Sequence, residues 1–391
     1  MTMKATDPGA FRAQTPVLCD RASDFIARNT FERPTLVLDL DRVGVQYDAL
    51  KTGLGAADVH YAVKANPDPR IIAALVAKGS HFDCASRAEL ELCLAQGARV
   101  DQLSFGNTIK RGSDIAYAAS VGVTLFAADA CEELEKIAVN APRARVYLRV
   151  IVENSQADWP LSRKFGAAAG HIPALLRQGR ALGLQMVGLS FHVGSQTRKA
   201  AFWGPVLDQI VQVWDTAQRS GYGLNLLNIG GGFPAFYGEA VDAPTHYAAE
   251  VMRQVHARFG DVKVIAEPGR GMVAEAGHIV AEVLLVARKS SLDLHRWVYL
   301  DIGKFSGLAE TMDEAIRYEF ITAKDGMASG PCILAGPSCD SADVLYEKTP
   351  VNLPNALCAG DRVIIRNCGA YTTTYASIGF NGFPPLDVVV I

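Results

Sequence analysis

Val59-His60-Tyr61-Ala62-Val63 is a short run that ends at Lys64, and it is the first of eight such runs. His81-Phe82 ends at Asp83 and Cys84, Leu103-Ser104-Phe105 near Asn107, Thr124-Leu125-Phe126 near Asp129, and Val146-Tyr147-Leu148 at Arg149. Val187-Gly188-Leu189-Ser190-Phe191 ends at His192, Leu226-Leu227-Asn228-Ile229 at Gly230-Gly231-Gly232, and Val262-Lys263-Val264-Ile265-Ala266 at Glu267. Strands covered on both faces read as near-continuous apolar runs. Helical periodicity fills the intervals. The early runs start about 22 residues apart, the length of one strand, one helix and two loops. Eight β-then-α units predict an α/β fold, a (β/α)₈ barrel, whose active site lies at the C-terminal ends of the strands. The polar residues that close the runs lie at that end.

Working outward, residues 1–34 are mixed, with a short helix expected near Ala22-Ser23-Asp24-Phe25. Pro34-Thr35-Leu36-Val37-Leu38-Asp39-Leu40 reads as a strand, and Asp41 is placed to cap the helix after it. The polar insertion 153–161, with Trp159-Pro160, reads as a loop over the site. After residue 277 the pattern changes. His278 to Val286 reads as a long strand, and further β runs at 297–301, 332–334, 362–365 and 388–391 lack full helices between them. The expectation is a barrel domain over 35–277 and a second, mainly antiparallel β domain over 278–391, to which residues 1–34 contribute. The strand at 35–40 either joins that domain or flanks the barrel.

The chain has 391 residues, is 49% hydrophobic and 20% charged, and carries a net charge of −3. That charge offers no broad basic field, so nucleic acid is not an expected partner. No apolar run reaches the length of a membrane span, and MTMKATDPGAFRAQTP has no apolar core of a signal peptide. The eight cysteines are scattered without a CxxC pair, which predicts neither a zinc site nor a disulfide framework and points to a reducing, cytoplasmic setting.

Three features carry chemistry. Tyr61-Ala62-Val63-Lys64-Ala65-Asn66-Pro67 puts a lysine at the barrel mouth, where partial desolvation can depress its pKa and suit it to covalent catalysis. Gly230-Gly231-Gly232-Phe233-Pro234 offers backbone N–H groups with no Cβ in the way, after the strand where barrels often bind phosphate. Glu267-Pro268-Gly269-Arg270 adds an acid and a cation after the eighth strand. A lysine, a phosphate nest and an acidic partner together describe a pyridoxal phosphate site.

YAVKANP, FDCAS, SFHVGSQ, NIGGGFP, EPGRGMVA, GPSCDSADVLY and GAYTTTYASIGFNGF occur in this order from Tyr61 onward. They closely resemble the fold type III, alanine racemase-like pyridoxal phosphate decarboxylases. Within these the chain looks most like ornithine decarboxylase and its lysine-accepting relatives. The resemblance implies that Lys64 carries the cofactor, His192 stacks on its ring, and Glu267 pairs with the ring nitrogen. It implies that Ser195, Gly230, Gly231, Gly232, Gly269, Arg270 and Tyr371 hold the phosphate, and that Asp83, Glu89, Arg149 and Lys164 support them. Cys339 would protonate the substrate carbon after CO₂ leaves, and Asp340 would help receive the amine. Both would come from the partner subunit of a homodimer with shared sites.

In Asp301 to Glu314, which resembles the family's specificity region, Asp313 matches the aspartate that meets the distal ammonium of ornithine, beside Met312. The implied reaction is decarboxylation of L-ornithine to putrescine, a step of polyamine biosynthesis, or of L-lysine to cadaverine. Diaminopimelate decarboxylases usually show Cys-Glu where this chain has Cys339-Asp340, and arginine needs room for a guanidinium. An alanine racemase would need a tyrosine base opposite the lysine. A binding homologue resembling the antizyme inhibitors would not need Lys64, Glu267, Arg270 and Cys339. No metal is implied.

Overall fold

A computed structural model of the chain describes residues 20–152 and 164–391. After helix α1 (Asp20–Arg28) and strand β1 (Thr35–Leu38), helix α2 (Leu40–Leu54) leads into eight strands that close a barrel. These are β2 (Asp58–Ala62), β3 (His81–Cys84), β4 (Leu103–Phe105), β5 (Leu125–Ala128), β6 (Arg145–Arg149), β7 (Gln185–Ser190), β8 (Leu226–Asn228) and β9 (Lys263–Ala266). Each pairs in parallel with the next, and β2 pairs with β9 to complete the ring. All eight lie on the apolar runs that the sequence marks.

The strands are buried nearly end to end because side chains face a filled interior on one side and helices on the other. Leu125, Ala127, Tyr147, Leu226 and Ile265 form one compact cluster, with Leu125 and Ala127 two apart on the same face of β5. The larger core lies between the strands and the helices α3 (Pro69–Ala77), α4 (Arg87–Ala95), α5 (Gly112–Ser120), α6 (Cys131–Asn140), α7 (Ile172–Ala181), α8 (Trp203–Arg219) and α9 (Pro244–Phe259). Local chemistry starts several of these helices. Asp68 caps α3, with Pro69 at its first position, and Ser86 caps α4 by accepting from the Glu89 amide. The cap of α2 is Asp39, which accepts from the Asp41 amide, so Asp41 falls in the first turn instead of at the cap.

The second sheet has nine strands. After the short helix α10 (Arg270–Val273), β10 (Gly277–Ala287), β11 (Arg296–Leu300), β12 (Phe320–Thr322), β13 (Ser329–Ala335), β14 (Val344–Leu345), β15 (Val351–Pro354), β16 (Arg362–Ile365) and β17 (Asp387–Val390) follow. Pairing is mainly antiparallel, with β11–β13 and β1–β17 parallel. The sheet buries its own core, around Val283, Leu300, Leu334 and Ile365. β1 lies in this sheet, antiparallel to β10 and parallel to β17, so residues 35–38 do not belong with the barrel where the expected 35–277 boundary put them. The insertion at 153–161 lies outside the described residues. Among the described residues, no helix is long and apolar enough to cross a membrane, and no cluster of His, Cys, Asp and Glu is set to hold a metal.

Candidate active site

The segment 369–374 of the β domain lies across the turn that carries Lys64. The Tyr371 amide donates to the Ala65 carbonyl at 2.8 Å, Asn66 Nδ2 donates to the Gly369 carbonyl at 2.8 Å, and Thr374 Oγ1 donates to the Lys64 carbonyl at 3.3 Å. Barrel mouth and β domain thus border an open cavity of about 400 Å³. Of the residues expected at the site, Lys64, Arg149, His192, Ser195, Gly231, Gly232, Glu267, Gly269, Arg270 and Tyr371 line it. Gly230 lies just behind, its carbonyl accepting from the Glu267 amide.

Lys64 reaches into the cavity with its Nζ 3.6 Å from Asp83 Oδ2. Burial opposes its charge, but the Asp83 carboxylate, followed by Tyr371 and Glu267, outweighs burial and holds Lys64 above the usual lysine range. The depressed value expected from a desolvated mouth is therefore reversed by a neighbouring anion. Asp83 is itself buried, and its second oxygen has no hydrogen-bond partner. Position 106 must be glycine beside it, because a Cβ there would overlap Asp83 Oδ1 at 1.8 Å. Glu89 stands further back, accepting from the Ala85 amide at 2.6 Å, with its pKa raised by burial and then by Asp83.

His192 follows β7. Its Nδ1 accepts from the Gly194 amide at 2.9 Å, which fixes the ring plane and leaves the proton of a neutral imidazole on Nε2. Burial, then the charges of Arg149 and Lys64, hold its pKa well below the usual histidine value. The result is a neutral, flat, rigidly oriented ring facing the cavity.

Glu267 follows β9 opposite. Burial, then Asp83, pushes its pKa up to about 7, while a hydrogen bond from Asn228 pulls the other way. Asn228 sits at the end of β8, and its amide orientation is forced: Oδ1 accepts from the Gly230 amide at 2.9 Å, so Nδ2 must donate, to Glu267 Oε1 at 2.5 Å. One carboxylate oxygen of Glu267 is thereby committed as an acceptor inside the protein.

The phosphate end is built from backbone and one cation. Gly230 and Gly232 have φ of +67° and +100°, the left-handed backbone from which successive N–H groups form an anion nest. A Cβ on Gly232 would stand 2.5 Å from Val193, and one on Gly231 2.8 Å from the Glu267 carbonyl. Arg270 opens α10 beside Ser195, over the Tyr371 ring. Its guanidinium is engaged by a residue that the sequence reading missed: Glu310 accepts from Nη1 at 2.6 Å and from Nη2 at 2.5 Å.

These donors fit pyridoxal phosphate. A lysine suits an aldehyde once it gives up its proton, a buried carboxyl the ring nitrogen, a neutral imidazole the ring face, and a glycine nest with an arginine the phosphate. The unpartnered Asp83 oxygen and the nest, where added side chains would clash, are what a site shaped for a polar ligand shows.

Besides Asp83, Glu89 and Gly230, five expected residues do not line this cavity. Met312 and Asp313 are 36% exposed and an exposed neighbour 3.6 Å from Lys348, respectively, and Asp313 opens onto an adjoining cavity that shares Gln196 with the first. Cys339 and Asp340 are exposed on the β domain, their loop tied by a Cys339 amide to Asn381 Oδ1 bond of 3.0 Å. Lys164 is exposed, with Nζ 5.0 Å from the Phe165 ring centre. Asn228, Gln196, Phe165, Glu310 and Tyr375 were not singled out, although all but Asn228 line the cavity. Asn228 could have been found by the strand-end rule that found its neighbours. Glu310 had no such signal, because its partner lies forty residues away in the other domain.

Residues 40–274 match the pyridoxal binding domain of the pyridoxal-dependent decarboxylases. A lysine/ornithine decarboxylase of Selenomonas ruminantium is 34% identical over 351 residues, covering 90% of this chain and 87% of that protein. The structure of a lysine/ornithine decarboxylase from Vibrio vulnificus, complexed with cadaverine, superposes with a TM-score of 0.85 at 32% identity, covering 96% of this chain and all of that one at 100%. The Paramecium bursaria Chlorella virus arginine decarboxylase, bound to agmatine, superposes equally well at 0.85, with 27% identity over 94% of this chain and 100% of that one. The barrel, the lysine at its mouth and a match over most of its length make this chain a member of the fold type III pyridoxal phosphate-dependent decarboxylases.

Proposed function

We propose that the chain decarboxylates a basic L-amino acid, with L-ornithine preferred and L-lysine second, releasing putrescine or cadaverine. The observation that carries this is the charge on the turn Ala309–Glu314. It bears three carboxylates. Glu310 is committed to Arg270, and Glu314 to Arg317 and to the amides of Lys348 and Thr349. Among the described residues Asp313 meets the exposed Lys348 ammonium, 3.6 Å away, and no other cation. It is the carboxylate of that turn most open to an alkyl ammonium, its side chain 95% exposed. The Selenomonas and Vibrio relatives are named for lysine and ornithine, in line with this reading. Ornithine and lysine differ by one methylene, and such selection is worth about 1–3 kcal/mol.

In this reading Lys64 holds the cofactor covalently, His192 supports its ring, and Ser195, Gly231, Gly232, Gly269, Arg270 and Tyr371 hold its phosphate. When bound, the cofactor supplies a cationic conjugated ring that takes up the electron pair left on Cα as CO₂ departs. Glu267 keeps a proton at the ring nitrogen, and Asn228 keeps Glu267 oriented for it. Burial, then the charge of Arg149, holds His192 neutral, so it stacks without adding charge. Cys339 of a second copy delivers a proton to Cα, and Asp340 of that copy joins Asp313 at the distal ammonium. In this reading the protein works as a homodimer, supported by Cys339 lying exposed on the β domain and outside the cavity of Lys64.

The test compares ornithine, lysine, arginine and diaminopimelate side by side, in the wild type and in Asp313→Ala. Putrescine should form fastest, and Asp313→Ala should raise KM for ornithine and lysine by about tenfold or more, since a hydrogen bond to a charged group contributes roughly 1.5–3 kcal/mol. Faster turnover of arginine or diaminopimelate, or an unchanged KM in the variant, would overturn the substrate assignment.

A further inference from the structure

Arg270 is the cation of the phosphate end, yet its charge is already met inside the protein. Its side chain is 4% exposed and that of Glu310 is 7% exposed. A guanidinium is a planar fork with two edges suited to bidentate contacts. Glu310 occupies the Nη1/Nη2 edge, at 2.6 and 2.5 Å. The remaining Nη1 hydrogen goes to the Tyr237 hydroxyl at 3.2 Å, and the Tyr371 ring, with its centre 4.9 Å away, covers a face. That leaves the Nε/Nη2 edge. Its contacts to Ser195 Oγ, at 3.4 and 3.3 Å, are the longest that the guanidinium makes. An anion can enter there with least loss.

We propose that Glu310 is a positioning residue for the cofactor phosphate: it grips the Nη1/Nη2 edge of Arg270, turns the Nε/Nη2 edge toward Ser195 and the glycine nest, and offsets the cation so that phosphate is held less tightly than by a free guanidinium. Two anions then share one cation, and at these separations in a buried site their mutual repulsion is felt. Because Arg270 belongs to the barrel and Glu310 to the β-domain turn that also carries Asp313, the grip on phosphate and the position of that turn are joined. The inference rests on the cofactor assignment and not on the choice of amino acid.

The test is thermal melting of the full-length protein titrated with pyridoxal phosphate and, separately, with pyridoxal, which lacks the phosphate. Glu310→Gln keeps the shape of the side chain and removes its charge. Without ligand the variant should melt lower than the wild type, because a buried cation has lost its partner. With pyridoxal phosphate it should gain more than the wild type and reach half-saturation at a several-fold lower concentration, the phosphate now serving as the counter-ion. With pyridoxal the two proteins should respond alike. An equal or smaller response of the variant to pyridoxal phosphate, or a gain that pyridoxal matches, would overturn the proposal. If Glu310→Gln does not fold, Arg270→Met/Glu310→Leu removes both charges together. That protein should fold and lose much of the wild-type preference for pyridoxal phosphate over pyridoxal, the glycine nest and Ser195 keeping the rest, and an undiminished preference would be the contrary result. A wild type indifferent to pyridoxal phosphate would instead overturn the cofactor assignment itself.

Discussion

Lys64→Ala and Cys339→Ala, each nearly inactive alone, are expected to recover roughly a quarter of wild-type decarboxylation when mixed under conditions that exchange subunits. Lys64 lines the barrel cavity, whereas Cys339 is exposed on the β domain and does not line it. In the proposed two-fold dimer each site takes Lys64 from one copy and Cys339 from the other. A mixed dimer then has one site with both substitutions and one with neither. Random exchange makes about half of all dimers mixed, and half of their sites intact. Exchange is followed independently by mass-tagged subunits. Confirmed exchange without recovery would contradict the shared site, since a mixed dimer lacks an intact site only if both residues act within one chain.

Glu267→Gln should lower kcat by about 10²–10³-fold, the range seen when a preorganised charge-stabilising group is removed, with a smaller change in KM. An amide retains the contact to the ring nitrogen but cannot keep it protonated. The same substitution has a pH signature in the cofactor-free protein. Glu267 has its pKa raised to about 7 by burial, above the unfolded value of about 4.3. A raised carboxyl means that the folded chain binds the proton more tightly than the unfolded chain. The stabilisation by the neutral acid is therefore complete at low pH and fades as pH rises from the unfolded value through about 7. Melting at pH 5 should be alike for the wild type and Glu267→Gln, while at pH 8 the variant should melt higher. A kcat within a few-fold of wild type, or melting curves that do not separate with pH, would contradict this assignment.

Much of the site could be read from the sequence because barrel geometry converts strand ends into neighbours. Lys64, Asp83, Arg149, His192 and Glu267 each close an apolar run, and a closed ring of parallel strands brings such residues together without further information. Long-range pairing was not readable in this way. β1 has the apolar pattern of a barrel strand, but its partners are β10 and β17, more than two hundred residues away, and nothing local selects them. β12, β14 and β15 are four residues or fewer and leave too little pattern to read. The α2 cap fell at Asp39 instead of Asp41 because both are capping residues and only backbone direction separates them. Electrostatics showed the same divide. A lone lysine in a desolvated mouth predicts a lowered pKa, and only the placement of Asp83 reverses the sign. Glu310 sat within a quoted segment, yet its pairing with Arg270 spans the two domains.

The central claim is that Lys64 carries pyridoxal phosphate at the mouth of the barrel, and borohydride reduction followed by peptide mapping tests it most directly. The purified protein should be yellow, lose that colour on reduction, and yield one modified peptide, the one containing Lys64. Modification at the buried Lys110 or the exposed Lys164 instead, or a colourless protein that takes up no added pyridoxal phosphate, would contradict the account.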